Sequence, residues 1–235
     1  MLYNPLPDKG GLGRVNQTTN KPPLIPPYQG EKLENMPNRS GKFIVLYGAN
    51  NLGKTTQAKI LLDKFKLHGL KAEYLKYPLY DLAPSGPILN NYLRRSNFYN
   101  LSPREAQILY ALNRTQYEKT LLLKLEQDIN IVAEDYTGTG IAWGLAAGLN
   151  ENFLKYLNSH LLKEDLAFLF DGERFLESVE YNHQHEADNE LIARARIAHL
   201  RLGYELGWTL INANEPIKQI HDKIWNQILK LLIND

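Results

Sequence analysis

Gly48-Ala49-Asn50-Asn51-Leu52-Gly53-Lys54-Thr55-Thr56 is the stretch on which the fold turns. Phe43, Ile44, Val45 and Leu46 run into it as a short apolar segment, the signature of a buried strand. Ala58, Leu61, Leu62 and Phe65 follow it at i, i+3, i+4, i+7 spacing, which predicts an amphipathic helix. A G-x-x-x-x-G-K-[ST] pattern between strand and helix reads as a phosphate-binding P-loop. Gly48 and Gly53 let backbone N–H groups turn inward around phosphate oxygens at a helix N-terminus. Asn50, Asn51 and Thr56 complete the loop's phosphate-facing set. Lys54 is expected on the β- and γ-phosphates of ATP. The Thr55 hydroxyl is expected on the accompanying Mg²⁺.

The rest of the composition fits one α/β enzyme domain. The chain has 235 residues, 43% of them hydrophobic, enough to bury a core. A formal net charge of +1 gives no global field toward nucleic acid or acidic membranes, and neither is expected as a partner. The absence of cysteine excludes disulfide scaffolds and thiolate metal sites and agrees with a cytoplasmic location, the one expected. No apolar run approaches a membrane span, and Met1 to Pro7 lacks the basic and apolar regions of a signal peptide.

Residues 1–41 read as an arm rather than a core. They hold Pro5, Pro7, Pro22, Pro23, Pro26, Pro27 and Pro37, with Gly10, Gly11 and Gly13 and few aliphatic residues. Lys9-Gly10-Gly11-Leu12-Gly13-Arg14 has no strand before it and no helical pattern after it, so it reads as linker. Residues 42–235 form the expected kinase domain. Ala72 to Pro78 reads as a strand, Leu79 to Pro87 as a loop and Ile88 to Arg94 as a helix. Ser102, Pro103 and Glu105 spell a capping box opening a helix that runs to about Glu126. Asp128 to Asp135 is a buried strand ending in acids, and Tyr136 to Gly140 is a turn into a segment with Trp143. A helix over 151–162 precedes a strand at Leu166–Asp171. A helix carrying Leu191, Ala195, Ala198 and Leu202 on one face leads to a strand at Trp208–Asn212. A last helix opens near Pro216 and buries Ile217, Ile220, Ile224, Ile228 and Leu231. Strands alternating with helices predict a five-stranded parallel sheet with helices on both faces, the P-loop NTPase fold, with its site at the strands' carboxyl ends.

A P-loop specifies a nucleotide and not a reaction. From Gly41 onward, however, the chain resembles the thymidylate kinase family, which transfers a phosphoryl group from ATP to dTMP. The resemblance rests on the P-loop followed by Gln57, on Lys76-Tyr77-Pro78, on Tyr110-Ala111-Leu112-Asn113-Arg114, and on Asn212-Ala213-Asn214-Glu215-Pro216 followed by His221. It implies ATP as donor, a pyrimidine nucleotide as acceptor and Mg²⁺ as cofactor; a homodimer is the expected assembly. It also implies that Tyr110 stacks on the acceptor base and Arg114 donates to a base carbonyl, a pairing their i, i+4 spacing allows. Tyr77 and Pro78 would wall the acceptor pocket, and Thr139 would lie beside the base. Glu134 would hold Mg²⁺ through water, with Thr55 as the other metal-side group. Lys54, Glu134 and Asp135 are the expected catalytic residues.

The chain also departs from the family. The family's third strand usually ends in Asp-Arg-Tyr; here it is Glu134-Asp135-Tyr136, a carboxylate where an arginine grips the acceptor phosphate. Tyr80 stands where a second arginine often binds that phosphate, Asn50 replaces an aspartate, and Asn51 fills the P-loop arginine's place. The lid expected around 174–190 has neither Arg nor Lys between Leu176 and Glu190. That leaves Arg174, Arg194 and Arg196 as flanking candidates. His183, His185 and Glu186 offer too few converging ligands for a metal and read as a solvated loop. Three readings follow: a dTMP kinase altered at the acceptor phosphate, a nucleoside kinase in which the acids meet a neutral hydroxyl, and a nucleotide-binding relative without transfer activity.

Overall fold

The computed structural model describes residues 39–94, 97–173 and 189–233. Most of the expected arm, and the lid segment 174–188 with Arg174, His183 and His185, lie outside the described residues. The chain builds β1 (Phe43–Tyr47), α1 (Lys54–Leu67), β2 (Lys71–Lys76), α2 (Ser85–Arg94), α3 (Pro103–Glu126) and β3 (Ile129–Glu134). It continues through α4 (Thr137–Ala146), α5 (Glu151–Asn158), β4 (Leu166–Asp171), α6 (Asn189–Leu206), β5 (Thr209–Asn212) and α7 (Ile217–Ile233). The sheet has the order β2-β3-β1-β4-β5, and every neighbouring pair is parallel.

Alternation along β1 explains how both faces are covered. Ile44 and Leu46 join Val132, Phe168 and Ile211 in one core layer, filled by Ala58, Leu61 and Phe65 of α1 and Ile220, Ile224 and Ile228 of α7. Phe43, Val45 and Tyr47 face the opposite layer with Ile131, Ala133 and Leu169, closed by Leu121 and Leu125 of α3. A third cluster ties α4, α5 and α6 together through Ile141, Leu154, Ala198 and Leu202. No described helix is long and apolar enough to cross a membrane.

Local differences from the sequence expectations have physical causes. α2 begins at Ser85, because Pro87 fits within a first helical turn. The glycines of Thr137–Gly140 open α4 rather than a turn before it: a Cβ at Gly138 would sit 2.3 Å from the Trp208 ring. α5 stops at Asn158 instead of 162. There the Asn158 carboxamide donates to the Leu154 carbonyl and the Ser159 hydroxyl to that of Tyr156, while Leu161 and Leu162 enter the core as coil. Ile217, in the first turn of α7, is exposed rather than buried. The capping box at Ser102 forms as spelled, with Glu105 accepting from the Ser102 amide at 2.8 Å.

Asn113 of α3 has no contact with solvent and clamps the loop after β2. It accepts from the Leu79 amide at 2.8 Å and donates to the Leu79 carbonyl at 3.0 Å and the Ser85 hydroxyl at 2.9 Å. Asn113→Ala strands these groups and should cost about 2–4 kcal/mol in denaturant unfolding.

His199 of α6 is buried, with Nδ1 2.8 Å from the Ala195 carbonyl. A carbonyl only accepts, so Nδ1 carries the proton, and Nε2 has no partner among the described residues. Burial pushes the imidazole down from 6.5 to about 4. The unfolded chain therefore takes up a proton that the folded chain refuses between these values. The stabilisation is complete above pH 6.5 and is lost as pH falls toward 4, by about 3 kcal/mol over the window. His199→Gln should flatten this part of the stability–pH profile, measured by urea unfolding at several pH values.

Candidate active site

The P-loop joins β1 to α1, and its glycines are sterically required. Gly48 has φ +129, and a Cβ there would lie 2.4 Å from the Phe170 carbonyl oxygen. Gly53 caps α1 in the left-handed region at φ 80. Lys54, 5% exposed, donates to the Gly48 carbonyl at 2.9 Å and the Ala49 carbonyl at 2.7 Å. Its ammonium is thus held inside the loop by backbone oxygens.

Strand pairing brings the acids to the same place. Leu46 is the register partner of Glu134. The next amide, that of Asp135, donates to the Leu46 carbonyl at 3.1 Å. Asp135 adopts φ +59, and its Oδ1 accepts from the Thr139 hydroxyl at 3.0 Å and lies 3.8 Å from Lys54 Nζ. Burial pushes this carboxyl's pKa up; Glu134 adds to the rise, while Lys54, Lys76 and Thr139 oppose it. Glu134 is buried, accepts from the Tyr74 hydroxyl at 2.6 Å and lies 3.6 Å from Lys76 Nζ. Burial and the Glu134 carboxylate push the Tyr74 phenol well up, so it remains a donor.

Tyr110 and Arg114 project from one face of α3. Tyr110 packs against Tyr92, Leu93 and Ala106. Arg114 is buried, donates to Asn158 Oδ1 at 2.9 Å and lies 6.0 Å from the Tyr136 ring centroid. Its guanidinium fills the space over Gly140, where a Cβ would lie 2.6 Å from Nη2. Burial lowers its pKa, but from so high a value that it stays charged. Arg94, at the end of α2, lies over the Tyr80 ring at 4.8 Å.

Lys54, Lys76, Tyr80, Arg94, Tyr110, Arg114, Glu134 and Asp135 meet at one cavity of about 910 Å³. Its lining includes Asn50, Asn51, Gly53, Lys54, Thr55 and Thr56 of the P-loop, Glu134 and Asp135, and Tyr77, Pro78, Tyr110, Arg114 and Thr139. Gly48 stands behind the loop and shapes it. Thr139 lines the cavity, but its hydroxyl is spent on Asp135. Arg196 forms a two-point ion pair with Asp171 at 2.6 and 2.9 Å. Arg194 donates to the Ala146 carbonyl at 2.9 Å, and neither arginine lines the cavity. Gln107 and Trp143 do line it and were not anticipated. Helical spacing would have found both: Gln107 is one turn before Tyr110, and Trp143 one turn after Thr139.

Comparison with known proteins agrees with this arrangement. A family model described as thymidylate kinase matches residues 46–224. Among relatives, the thymidylate kinase of Dictyostelium discoideum is 28% identical over 199 residues, covering 83% of this chain and 88% of the relative. The thymidylate kinase of Homo sapiens is 27% identical over 198 residues, covering 80% and 90%. A solved thymidylate kinase structure from Candida albicans shares the fold, with a TM-score of 0.69 over 83% of this chain and 94% of that one, at 24% identity. The matched span begins in β1, takes in the loop that holds Lys54 and the helix that carries Tyr110 and Arg114, and ends within α7, so this chain belongs to the thymidylate kinase family of phosphotransferases.

Proposed function

We propose that the chain transfers the γ-phosphoryl group of ATP to thymidine 5′-monophosphate. The observation that carries this reading is the single cavity that the P-loop lysine, Tyr110 and Arg114 all line. At about 910 Å³ it lies near the top of the range for one bound molecule, which suits two substrates held together. Phosphoryl transfer asks the protein mainly for alignment and charge stabilisation, and such a cavity supplies alignment. The loop's N–H groups and Lys54 would hold the donor's phosphates. The ring of Tyr110 would stack on the acceptor base, and the Arg114 guanidinium would donate to a base carbonyl, which favours thymine over a base presenting an amino group there.

Thr55 and Glu134 offer a hydroxyl and a carboxylate on the same cavity, an all-oxygen donor set suited to a hard dication. They would hold Mg²⁺ between them, directly or through water. The bound ion supplies positive charge against the phosphates. Asp135 contributes the opposite sign. A dianion about 4 Å from it meets roughly 1 kcal/mol of repulsion per charge pair in water-like surroundings and several times more in a closed site. Lys54, at 3.8 Å, and Thr139 are the groups that hold this carboxylate and moderate its field.

ADP release with Mg·ATP should be rapid with dTMP and near background with thymidine; robust turnover of thymidine and none of dTMP would sink the reading. Tyr110→Ala should raise the KM for dTMP by about 1–3 kcal/mol equivalent while the KM for ATP stays put. Equal losses for both substrates would make Tyr110 a packing residue. Lys54→Ala should lower kcat by at least about a hundredfold with the circular dichroism spectrum unchanged, as expected for loss of a charge-stabilising donor.

A further inference from the structure

We propose that Tyr74 is the positioning residue that holds the Glu134 carboxylate in place for the metal accompanying ATP. This rests on the reading of Thr55 and Glu134 as the metal-side groups. Sheet register puts the phenol there. Lys76 of β2 is the partner of Glu134 of β3, and Tyr74 is the partner of Val132. Side chains two apart on a strand share a face, so Tyr74, Lys76, Val132 and Glu134 project to one side of the sheet. That is the side α1 covers, where Val132 packs with Ala58 and Leu61. The Tyr74 hydroxyl reaches diagonally across the ladder and donates to Glu134 Oε1 at 2.6 Å. Thr55 and Glu134 line the cavity. Tyr74 touches the carboxylate and not the space where nucleotides bind.

Glu134 needs such a hold. A glutamate has three rotatable side-chain bonds, and fixing them at the moment an ion binds costs rotamer entropy. Tyr74 fixes them beforehand at Oε1, while Lys76 Nζ, 3.6 Å from Oε2, adds charge from beyond hydrogen-bond length. A carboxylate oxygen can accept twice, so Oε1 keeps a lone pair for the metal or its water. The Thr55 hydroxyl is a hydrogen-bonding neighbour of the same phenol. Tyr74 thus ties together two groups that arrive on different elements, the end of β3 and the first turn of α1. Core packing does not account for the ring, which is 37% exposed. A partner that orients a metal-side carboxylate is typically worth about ten- to a hundredfold in metal affinity.

The test is the Mn²⁺ dissociation constant of the full chain with the non-hydrolysable ATP analogue AMP-PNP, read from the electron paramagnetic resonance of free Mn²⁺. Tyr74→Phe, which keeps the ring and removes the donor, should raise that constant by about tenfold or more. Its affinity for AMP-PNP without metal and its urea midpoint should stay those of the unaltered chain. Glu134→Gln should raise the constant at least as far, and adding Tyr74→Phe to it should change nothing more, because the phenol acts through the carboxylate. If Glu134→Gln raises the constant and Tyr74→Phe does not, the assignment of Tyr74 is overturned and the reading of Glu134 stands. A further rise in the double variant, or equal losses of AMP-PNP with and without metal in Tyr74→Phe, would also overturn it. If Glu134→Gln leaves the constant unchanged, the metal-side reading of Glu134 falls and takes this assignment with it.

Discussion

One backbone hydrogen bond, from the Asp135 amide to the Leu46 carbonyl at 3.1 Å, joins the chemical halves of the site. It is the last rung of the parallel ladder between β1 and β3, and the P-loop leaves β1 one residue later. Because the register sets Glu134 opposite Leu46 and Lys76 opposite Glu134, three adjacent strand ends deliver the loop, the acids and a lysine to one point. A one-residue slip would turn Glu134 into the opposite core layer and away from the Tyr74 hydroxyl that now donates to it. The hydrophobic alternation of β1 and β3, which selects the register, therefore also sets the electrostatics of the cavity.

Those electrostatics are unusual for a site that handles phosphates. Two carboxylates share the centre, and the raised pKa of Asp135 reflects the cost of burying it beside Glu134. Lys54 and Lys76 reduce that cost without removing it, at 3.8 and 3.6 Å from their partners. Arg194 and Arg196, early in α6, are committed to other tasks. Arg196 braces Asp171 at the end of β4, and Arg194 holds the end of α4. Charge in this cavity is thus balanced between neighbours in space more than between neighbours in sequence.

That distinction also marks what could be read from the sequence. The strands, the P-loop, the capped helix over Pro103–Glu126 and the shared face of Tyr110 and Arg114 all depend on local periodicity and spelling, and all are where the sequence puts them. Gly138 and Gly140 spell a turn locally but lie in α4, because their purpose is long-range: one clears the Trp208 ring, the other the Arg114 guanidinium. Asn113 sits inside a legible motif, yet its clamp on Leu79 spans a separation that no local pattern encodes. The hydrogen bond from the Thr139 hydroxyl to Asp135 is likewise not spelled by any local pattern.

The left-handed backbone of Asp135, at φ +59, adds a selection that charge alone does not reveal. Short side chains that bond their own surroundings, Asp and Asn above all, enter this region readily, while other residues with a Cβ meet a penalty of roughly 1–2 kcal/mol. Position 135 therefore sorts residues by backbone shape before it sorts them by sign. A neutral amide can replace the acid with little conformational cost. A long cation placed there must overcome the torsional preference as well as gain from the phosphate, so the two properties do not vary independently along this strand end.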